Sequence, residues 1–324
     1  MGKHLMAVAA HCDDIEFLMA GTMLKCHEKF GYGIVYVQST NNMSGEWCQA
    51  TQGERAVTAP VPPAWLKRIK TREASPGLLV HTVPWYVEMA QRKKEAADSA
   101  REFFHTEPLH LDYPQRHYTD GELKKIDLRY GAPRPDCVPE DFPSIVTAHE
   151  DKDALERMAN LILEKDPEVI MTHAPVDYTE EHTSTSHLVR KAFLKAKAQG
   201  YDGSLVFALT VTSGAYGEFF DRWDAFVDIT GFEDKKRQAI GTHACQVPFP
   251  ERLDLEDCLR GKICGVGAAE VFHVFELSGT RSGELADELG RSHAHCRANW
   301  SRMFFSPESE KLFADFREEC ARPR

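Results

Sequence analysis

The sequence predicts an α/β protein built as a Rossmann-like three-layer sandwich, with helices on both faces of a mostly parallel sheet. Apolar runs alternate along the chain with segments of helical periodicity, and this alternation is typical of βαβ units. Two of the apolar runs lead directly into histidines and acidic residues. Open α/β sheets bind their ligands at the carboxyl ends of the strands. The histidines and acidic residues therefore lie where a protein of the predicted fold would have its ligand site.

The chain opens with a βαβ unit. Residues 5–10 form a predicted strand, residues 16–29 a predicted helix, and residues 33–38 a second strand. Helical spacing returns over residues 88–104, and residues 108–111 then read as a short strand. These elements give the amino-terminal half of the sheet.

The second half repeats the pattern. Asp151 is a predicted N-cap for a helix, a buried strand follows over residues 167–171, and another helix carries Leu188, Val189 and Phe193 on its apolar face. We predict one domain over residues 1–275 with long loop insertions at about 45–85 and 112–150, and a helical C-terminal extension over residues 276–324. Because a long loop in a compact domain is usually functional, we expect the second insertion to cover the site as a lid.

Composition restricts the class of partner. The 324 residues, of which 42% are hydrophobic, suffice for a large core. Acidic residues outnumber basic ones by 50 to 39, giving a net charge of -11, so we expect a small-molecule substrate and no nucleic acid. No apolar run approaches the roughly 20 residues of a membrane span, and no signal peptide is recognisable, so a cytoplasmic protein is predicted. A homo-oligomer is compatible with these features.

Two motifs follow the predicted strands. The first places His11, Asp13 and Asp14 directly after the first strand, where an imidazole and two carboxylates supply half of a metal site. Helix capping is the alternative explanation for the aspartates, but a cap needs only one carboxylate and does not need His11. The second motif, residues 172–187, is rich in histidine, acidic and hydroxyl residues and completes the predicted metal site of a zinc hydrolase.

These motifs resemble those of the PIG-L/LmbE-like zinc de-N-acetylases. That family carries H-P-D-D-x-E after its first strand, and the match here is residues 11–16, with Cys12 in place of the proline. Its later D-H element resembles residues 177–182. Weaker similarities involve Arg92 with Glu95, residues 228–246 and residues 269–273, so the resemblance extends over about residues 4–275.

The resemblance implies a set of roles. His11, Asp14 and His182 are the implied zinc ligands, and Asp13 is the implied general base. Two nitrogens and one carboxylate oxygen with an open position are also what a catalytic zinc site requires, and zinc lowers the pKa of a bound water to about 7. The implied reaction removes an acetyl group from an N-acetylated amino sugar or a related conjugate.

The remaining candidates depend more weakly on the pattern. Much of the family has an oxyanion-stabilising histidine three residues before the last ligand, where this chain has Thr179. His173, His187 and His273 are candidate substitutes, and we predict His273 as the second catalytic residue. The predicted substrate-binding residues are Arg92, Asp177 and His243, although His243 at a helix end is equally explained by the helix dipole. Aromatic residues that would stack on a sugar, or simply pack in the insertions, are Trp47, Trp85, Tyr113 and Tyr118.

Three other functions were weighed. A dinucleotide-binding unit is disfavoured because no GxGxxG follows the first strand, and two aspartates there would repel a pyrophosphate. A zinc-dependent hydratase or lyase acting on a small carboxylic acid would use the same metal and Asp13, with Arg116, Arg129 and Arg134 as the cations that bind it. A metal-binding protein without turnover is the third, and the presence of Asp13, which is not an implied ligand, argues against it.

Overall fold

Helices and strands alternate along most of the described chain. The computed structural model describes residues 3–45, 47–51, 61–128, 134–136, 138–139, 142–177, 179–209, 222–246 and 252–321. The strands are β1 His4–Ala9, β2 Gly33–Thr40, β3 Trp47–Ala50, β4 Lys70–Ser75, β5 Leu78–Thr82, β6 Leu109–Tyr113, β7 His117–Thr119, β8 Lys125–Asp127, β9 Val169–His173, β10 Ser204–Ala208, β11 Ala225–Asp228 and β12 Ala269–Glu276. The helices are α1 Asp14–Phe30, α2 Trp85–Phe104, α3 Ile145–Ala148, α4 Lys152–Lys165, α5 Glu180–Lys197, α6 Glu233–Gly241, α7 Arg252–Cys264, α8 Glu284–Phe305 and α9 Pro307–Ala321.

A seven-stranded sheet in the order β11-β12-β10-β9-β1-β2-β6 forms the centre of the fold. β1 pairs in parallel with β2 and β9, β2 with β6, and β9 with β10, while β12 is antiparallel to both of its neighbours. The predicted mostly parallel sheet is therefore confirmed. Val8 lies opposite Thr172 in the β1–β9 pair, so the two motif-bearing strands end at the same edge.

Helices cover both faces of this sheet. On β1, Leu5, Ala7 and Ala9 pack into one core cluster with α1, and Met6 and Val8 pack into a second cluster with α4 and α5. Every residue of β1 after His4 is buried, which is why the strand reads as a continuous apolar run and not as an alternating one. The predicted three-layer sandwich is confirmed.

The insertion over residues 45–85 contains regular structure that the sequence did not reveal. β3, β5 and β4 form a small antiparallel sheet, and β7 and β8 form a hairpin in the second insertion. Every residue of β4 is exposed, so this strand lacks the apolar alternation on which strand prediction depends.

The candidate sugar-stacking aromatics are mostly core residues. Trp47 and Tyr113 are 1% exposed and Tyr118 is 6% exposed, because they fill the clusters that attach the insertions to the domain. Trp85 is half-buried against the edge of Tyr86. The rings of Trp47, Tyr113 and Tyr118 therefore have no exposed face on which a sugar could stack in this structure.

The carboxyl-terminal helices pack onto the sheet. α8 contributes Leu285 and Leu289 to the same core cluster as α1, and its Ser292 hydroxyl accepts the Phe226 N–H of the edge strand β11. Among the described residues, no helix is both long and apolar enough to cross a membrane.

Candidate metal centre

The turn between β1 and α1 presents His11, Asp13 and Asp14. Asp13 occupies the N-cap position of α1, but its side chain makes no capping hydrogen bond. Asp14 instead accepts the His11 backbone N–H at 2.6 Å through Oδ2, which fixes the carboxylate and leaves Oδ1 pointing away from the turn. Neither carboxylate is engaged in capping the helix, so the capping explanation of the pair does not hold.

The second part of the site comes from β9 and the start of α5. His173 is the last residue of β9, and His182 lies in the first turn of α5. Asp177, in the connection between them, accepts the Thr179 N–H at 2.8 Å and lies 3.2 Å from His182 Nδ1. These contacts orient the His182 ring with Nε2 toward the β1–α1 turn.

The three predicted metal ligands converge. His11 Nδ1 and His182 Nε2 are 3.1 Å apart, and the Asp14 oxygens lie 3.2 Å from each of these nitrogens. The ligand atoms of His11, Asp14 and His182 all lie within 4.8 Å of one another. Residues separated by about half of the chain thus form one compact cluster.

The outer nitrogen of each histidine is bound to a carboxylate. His11 Nε2 donates to Glu181 Oε2 at 2.7 Å, and His182 Nδ1 faces Asp177 Oδ1 at 3.2 Å. When these nitrogens carry the protons, the two facing nitrogens both present lone pairs at 3.1 Å. A cation between them removes that repulsion, and carboxylate-bound histidines are the usual support of a metal centre. The cluster therefore fits a metal ion.

Ionisation in the cluster agrees with this arrangement. Burial raises the pKa of Asp14, but the interactions with His182, His11 and His173 outweigh it and hold the pKa well below its usual value. Burial likewise raises the pKa of Glu181, yet the hydrogen bonds from His11 and from the Arg116 backbone N–H lower it to about 2. Both carboxylates are therefore ionised at neutral pH, as metal ligation and histidine orientation require.

His173 supports the site without an open lone pair. Its Nε2 accepts the Ala10 backbone N–H at 2.9 Å, and its ring stacks on His182 with centroids 4.1 Å apart. Burial lowers its pKa, so it is neutral at neutral pH. His173, Asp177 and His182 form a second group with metal-binding spacing, but it shares His182 with the first.

Asp13 directly precedes Asp14 in the chain and is not a member of the group with metal-binding spacing. Its side chain is 17% exposed, and Oδ1 is 3.3 Å from Arg92 Nη2. Arg92 is 3% exposed and also donates to Cys12 Sγ and to the Ser44 carbonyl oxygen, at 3.1 and 2.6 Å. The Arg92 guanidinium, which is predicted to bind substrate, is therefore engaged by three groups of the protein in this structure.

The other predicted substrate-binding and catalytic residues each contact a histidine or a carboxylate. His243 follows α6 with no exposed surface, and its Nε2 lies 3.1 Å from Glu16 Oε2. Asp177 is engaged by His182. His273 lies on β12 with Nδ1 3.9 Å from Asp224 Oδ1, outside the cluster of metal ligands.

No histidine occupies the place of Thr179. His173 is held by Ala10, and His187 packs near the ring of His149 with centroids 5.6 Å apart. His273 contacts Asp224 on the antiparallel side of the sheet. The described part of the chain therefore offers none of the three as a direct replacement for the family's oxyanion histidine.

Glu181 and Gln115 contact the cluster but are not among the site residues predicted from the sequence. Gln115 Nε2 and the Arg116 backbone N–H donate to Glu181 at 3.4 and 2.9 Å, and Gln115 also accepts the Ser44 N–H at 2.7 Å. A local signal for Glu181 would be an acid next to the histidine that it supports, but Glu181 directly precedes His182 and binds His11, 170 positions earlier in the chain. Gln115 carries no such local signal, since its position depends on the pairing of β6 with β2.

Comparison with known proteins gives the family. Residues 6–193 match the family model described as "PIG-L: GlcNAc-PI de-N-acetylase", a span that includes all three predicted metal ligands. The chain belongs to the PIG-L family. The predicted family is therefore confirmed, and the similarity reaches well beyond the two motifs.

Individual PIG-L relatives differ in their activities. A 4-oxalmesaconate hydratase of Pseudomonas putida is 34% identical over 104 residues, which cover 30% of this chain and 40% of the relative. The solved structure of GalB, a 4-carboxy-2-hydroxymuconate hydratase of P. putida, is 20% identical with a TM-score of 0.57, covering 87% of this chain and 99% of GalB. N,N'-diacetylchitobiose deacetylase of Pyrococcus horikoshii is 16% identical with a TM-score of 0.52, covering 86% and 87%. At these identities the two structures show a shared fold.

We predict that Glu181→Gln weakens zinc binding. The amide no longer provides the negative charge that orients and polarises His11, so affinity should fall by roughly 10- to 100-fold. Competition with a chromophoric chelator measures the change. Glu180→Gln is the matched control, because Glu180 lies at the rim, 3.8 Å from Arg116 Nη1. Equal affinities of the Glu181 and Glu180 variants would contradict the supporting role.

We predict that the stability of the protein depends on pH through Glu88, a buried acid next to Arg92. Glu88 is 2% exposed, and its Oε2 has no hydrogen-bond partner among the described residues. Burial, with smaller contributions from Glu95 and Asp13, raises its pKa to about 7. The folded state therefore holds this proton more tightly than the unfolded chain, and stability falls as pH rises from about 4.5 to 7.

Glu88→Gln should remove this loss. We expect the variant to be more stable than the wild type at pH 8 by roughly 1–3 kcal/mol, with the difference shrinking as pH falls toward 4.5. Urea unfolding at several pH values measures it. Exposed Glu122 supplies the control variant Glu122→Gln, for which the difference should stay near zero, and a pH-independent effect at position 88 would refute the assignment.

Proposed function

We propose that this PIG-L protein is a zinc-dependent hydrolase that removes the acetyl group from a small N-acetylated amino sugar or related conjugate. The observation that carries the proposal is the convergence of His11 Nδ1, His182 Nε2 and the Asp14 carboxylate within 3.2 Å, with Asp13 next to Asp14 in the chain. This donor set leaves coordination positions for water and substrate.

His11, Asp14 and His182 would hold the ion. Zinc bound there would polarise the acetamide carbonyl and lower the pKa of water to about 7. Asp13 accepts the proton of the attacking water and delivers it to the nitrogen as the C–N bond breaks. Acetate and a free amine are the products, and Asp13 returns to its ionised form.

The proposed hydrolysis of an acyl group has more support than the proposed amino-sugar class of the substrate. Trp47, Tyr113 and Tyr118 are buried, so a sugar ring would have to stack on other groups, with half-buried Trp85 the remaining aromatic candidate. The amino-sugar class therefore rests on family membership, while the hydrolytic chemistry rests also on the cluster.

A hydratase acting on a small carboxylic acid is the second candidate. The position three residues before His182 is Thr179. His173 lies within the cluster, where its Nε2 accepts the Ala10 N–H and is 3.2 Å from Asp14 Oδ2, while His187 and His273 lie against His149 and Asp224. Addition of water to a carbon–carbon double bond forms no tetrahedral oxyanion at an acyl carbon, so it does not need the histidine that stabilises this oxyanion. The hydratase relatives point in the same direction.

The predicted cationic residues give the hydratase less support. Arg116 faces Glu180 at 3.8 Å, and Arg134 donates to the carbonyl oxygens of Pro139 and Phe142. Arg129 lies outside the described residues. A polycarboxylate substrate would therefore have to compete with existing partners of Arg116 and Arg134.

Two substitutions should separate metal binding from chemistry. Asp13→Ala should retain zinc and lose turnover by roughly 10²- to 10⁴-fold, because the general base is removed while the ligands remain. His182→Ala should lose the metal, because the cluster then keeps only two ligands. Metal analysis of both purified variants, together with turnover of Asp13→Ala, tests the assignment. Unchanged turnover without Asp13, or full zinc occupancy without His182, would show that the corresponding role is wrong.

The reaction itself is tested on two substrate sets. Zinc-loaded protein is incubated with a panel of N-acetyl amino sugars, read out as amine release, and separately with 4-oxalmesaconate, read out as water addition. We expect chelator-sensitive amine release. Hydration without amine release would replace the deacetylase with the hydratase, and absence of bound zinc would refute both.

A further inference from the structure

We propose that Arg92 is a positioning residue, which holds the Asp13 carboxylate in a single orientation next to the metal ligands, and that it does not bind substrate. The inference rests on the proposed role of Asp13 as general base. It assigns a task to a buried guanidinium that the reaction scheme does not otherwise use.

The guanidinium makes three contacts with the segments that form the site. Nη2 lies 3.3 Å from Asp13 Oδ1, Nε donates to Cys12 Sγ at 3.1 Å, and Nη1 donates to the Ser44 carbonyl oxygen at 2.6 Å. The planar fork of arginine donates in several fixed directions at once. Arg92 therefore ties Asp13 both to the neighbouring Cys12 and to the chain after β2.

Cys12 is held from the opposite side as well. Its backbone N–H donates to Asn42 Oδ1 at 2.9 Å, and Asn42 has the left-handed backbone conformation with φ 59°. The Asn42 side chain has no exposed surface. Cys12, which precedes the proposed base Asp13, is therefore held through its backbone by Asn42 and through its thiol by Arg92. The turn that carries Asp13 consequently has little freedom to rotate.

The chain closes over the guanidinium at Gly45. A Cβ added at this glycine would lie 2.7 Å from Arg92 Nη1 and 2.7 Å from Glu88 Oε1. Only a residue without a side chain can approach Arg92 and Glu88 this closely. Gly45 therefore lies against Nη1, the same nitrogen that donates to the Ser44 carbonyl oxygen.

This geometry matters for rate because a general base must stay within about 0.5 Å of its productive position. Asp13 is 17% exposed, and a partly exposed carboxylate without a partner samples several rotamers. The contact with Arg92 selects one of them. Loss of Arg92 should therefore impair catalysis only through Asp13.

A double-mutant cycle with a metal-directed ligand tests this idea without turnover. Acetohydroxamic acid chelates a catalytic metal through its oxygens, and the base accepts the proton that it releases. Its affinity for the zinc-loaded protein is measured by calorimetry for the wild type, Asp13→Asn, Arg92→Gln and the double variant. We expect each single variant to bind about tenfold more weakly, as for loss of one charged hydrogen bond.

The double variant decides between the two roles of Arg92. If Arg92 acts through Asp13, the double variant also binds about tenfold more weakly than the wild type, because the second substitution has nothing further to remove. Wild-type affinity in Arg92→Gln, or a roughly hundredfold loss in the double variant, would overturn the proposal. Arg260→Gln is the matched control: Arg260 is 2% exposed and paired with Glu256 and Asp257, and its loss should not change hydroxamate affinity.

Two further measurements keep the proposal testable if a variant fails to fold or if zinc fails to bind. Should Arg92→Gln fail to fold, Arg92→Lys keeps the buried charge but not the three-directional contacts, and we expect a weakened affinity that Asp13→Asn does not weaken further. The metal-free proteins are also unfolded in urea, where the double variant should have the same midpoint as Arg92→Gln. Additive midpoint shifts would refute the contact even if zinc failed to bind, an outcome that would separately refute the proposed function.

Discussion

The parallel pairing of β1 with β9 is the constraint on which the site depends. Val8 and Thr172 are opposite each other in this pair, although more than half of the domain's sequence lies between them. Because parallel strands end at the same edge of a sheet, the turn after β1 and the connection after β9 meet there. A shift of one residue in this register would turn every β1 side chain to the other face and separate the metal ligands.

The same edge concentrates ionisable groups that would be unfavourable if buried alone. Asp14, Glu181 and Asp177 each face a histidine, and the Asp13 carboxylate faces Arg92. Burying a charge is tolerated when an opposite charge and hydrogen bonds compensate it. The result is a polar cluster in which each of these carboxylates is oriented by a partner, and such preorganisation is the main way in which proteins stabilise developing charge.

Local sequence was sufficient to predict the fold class and the convergence of His11, Asp14 and His182, and insufficient for most of what surrounds them. His11 and Asp14 follow a strand that is apolar throughout, so their place at the sheet edge could be predicted from the pattern alone, and His182 followed once the family was recognised. Arg92 and His243 were assigned to substrate because their sequence neighbourhoods did not reveal their burial. Their carboxylate partners, Asp13 and Glu16, lie about 80 and more than 200 positions away.

Glu181 limits how the sequence of the neighbouring insertion can change during evolution. Its carboxylate is shared between a metal ligand, His11, and the root of an insertion through Gln115 and Arg116. Insertions near an active site usually drift freely as new substrates are selected, because they are mechanically independent of the catalytic groups. Here a change that displaces residues 115–116 is transmitted to the histidine on the other side of the shared carboxylate. The evolution of specificity in this insertion is therefore coupled to metal affinity, and variants that explore new substrates must keep this root in place.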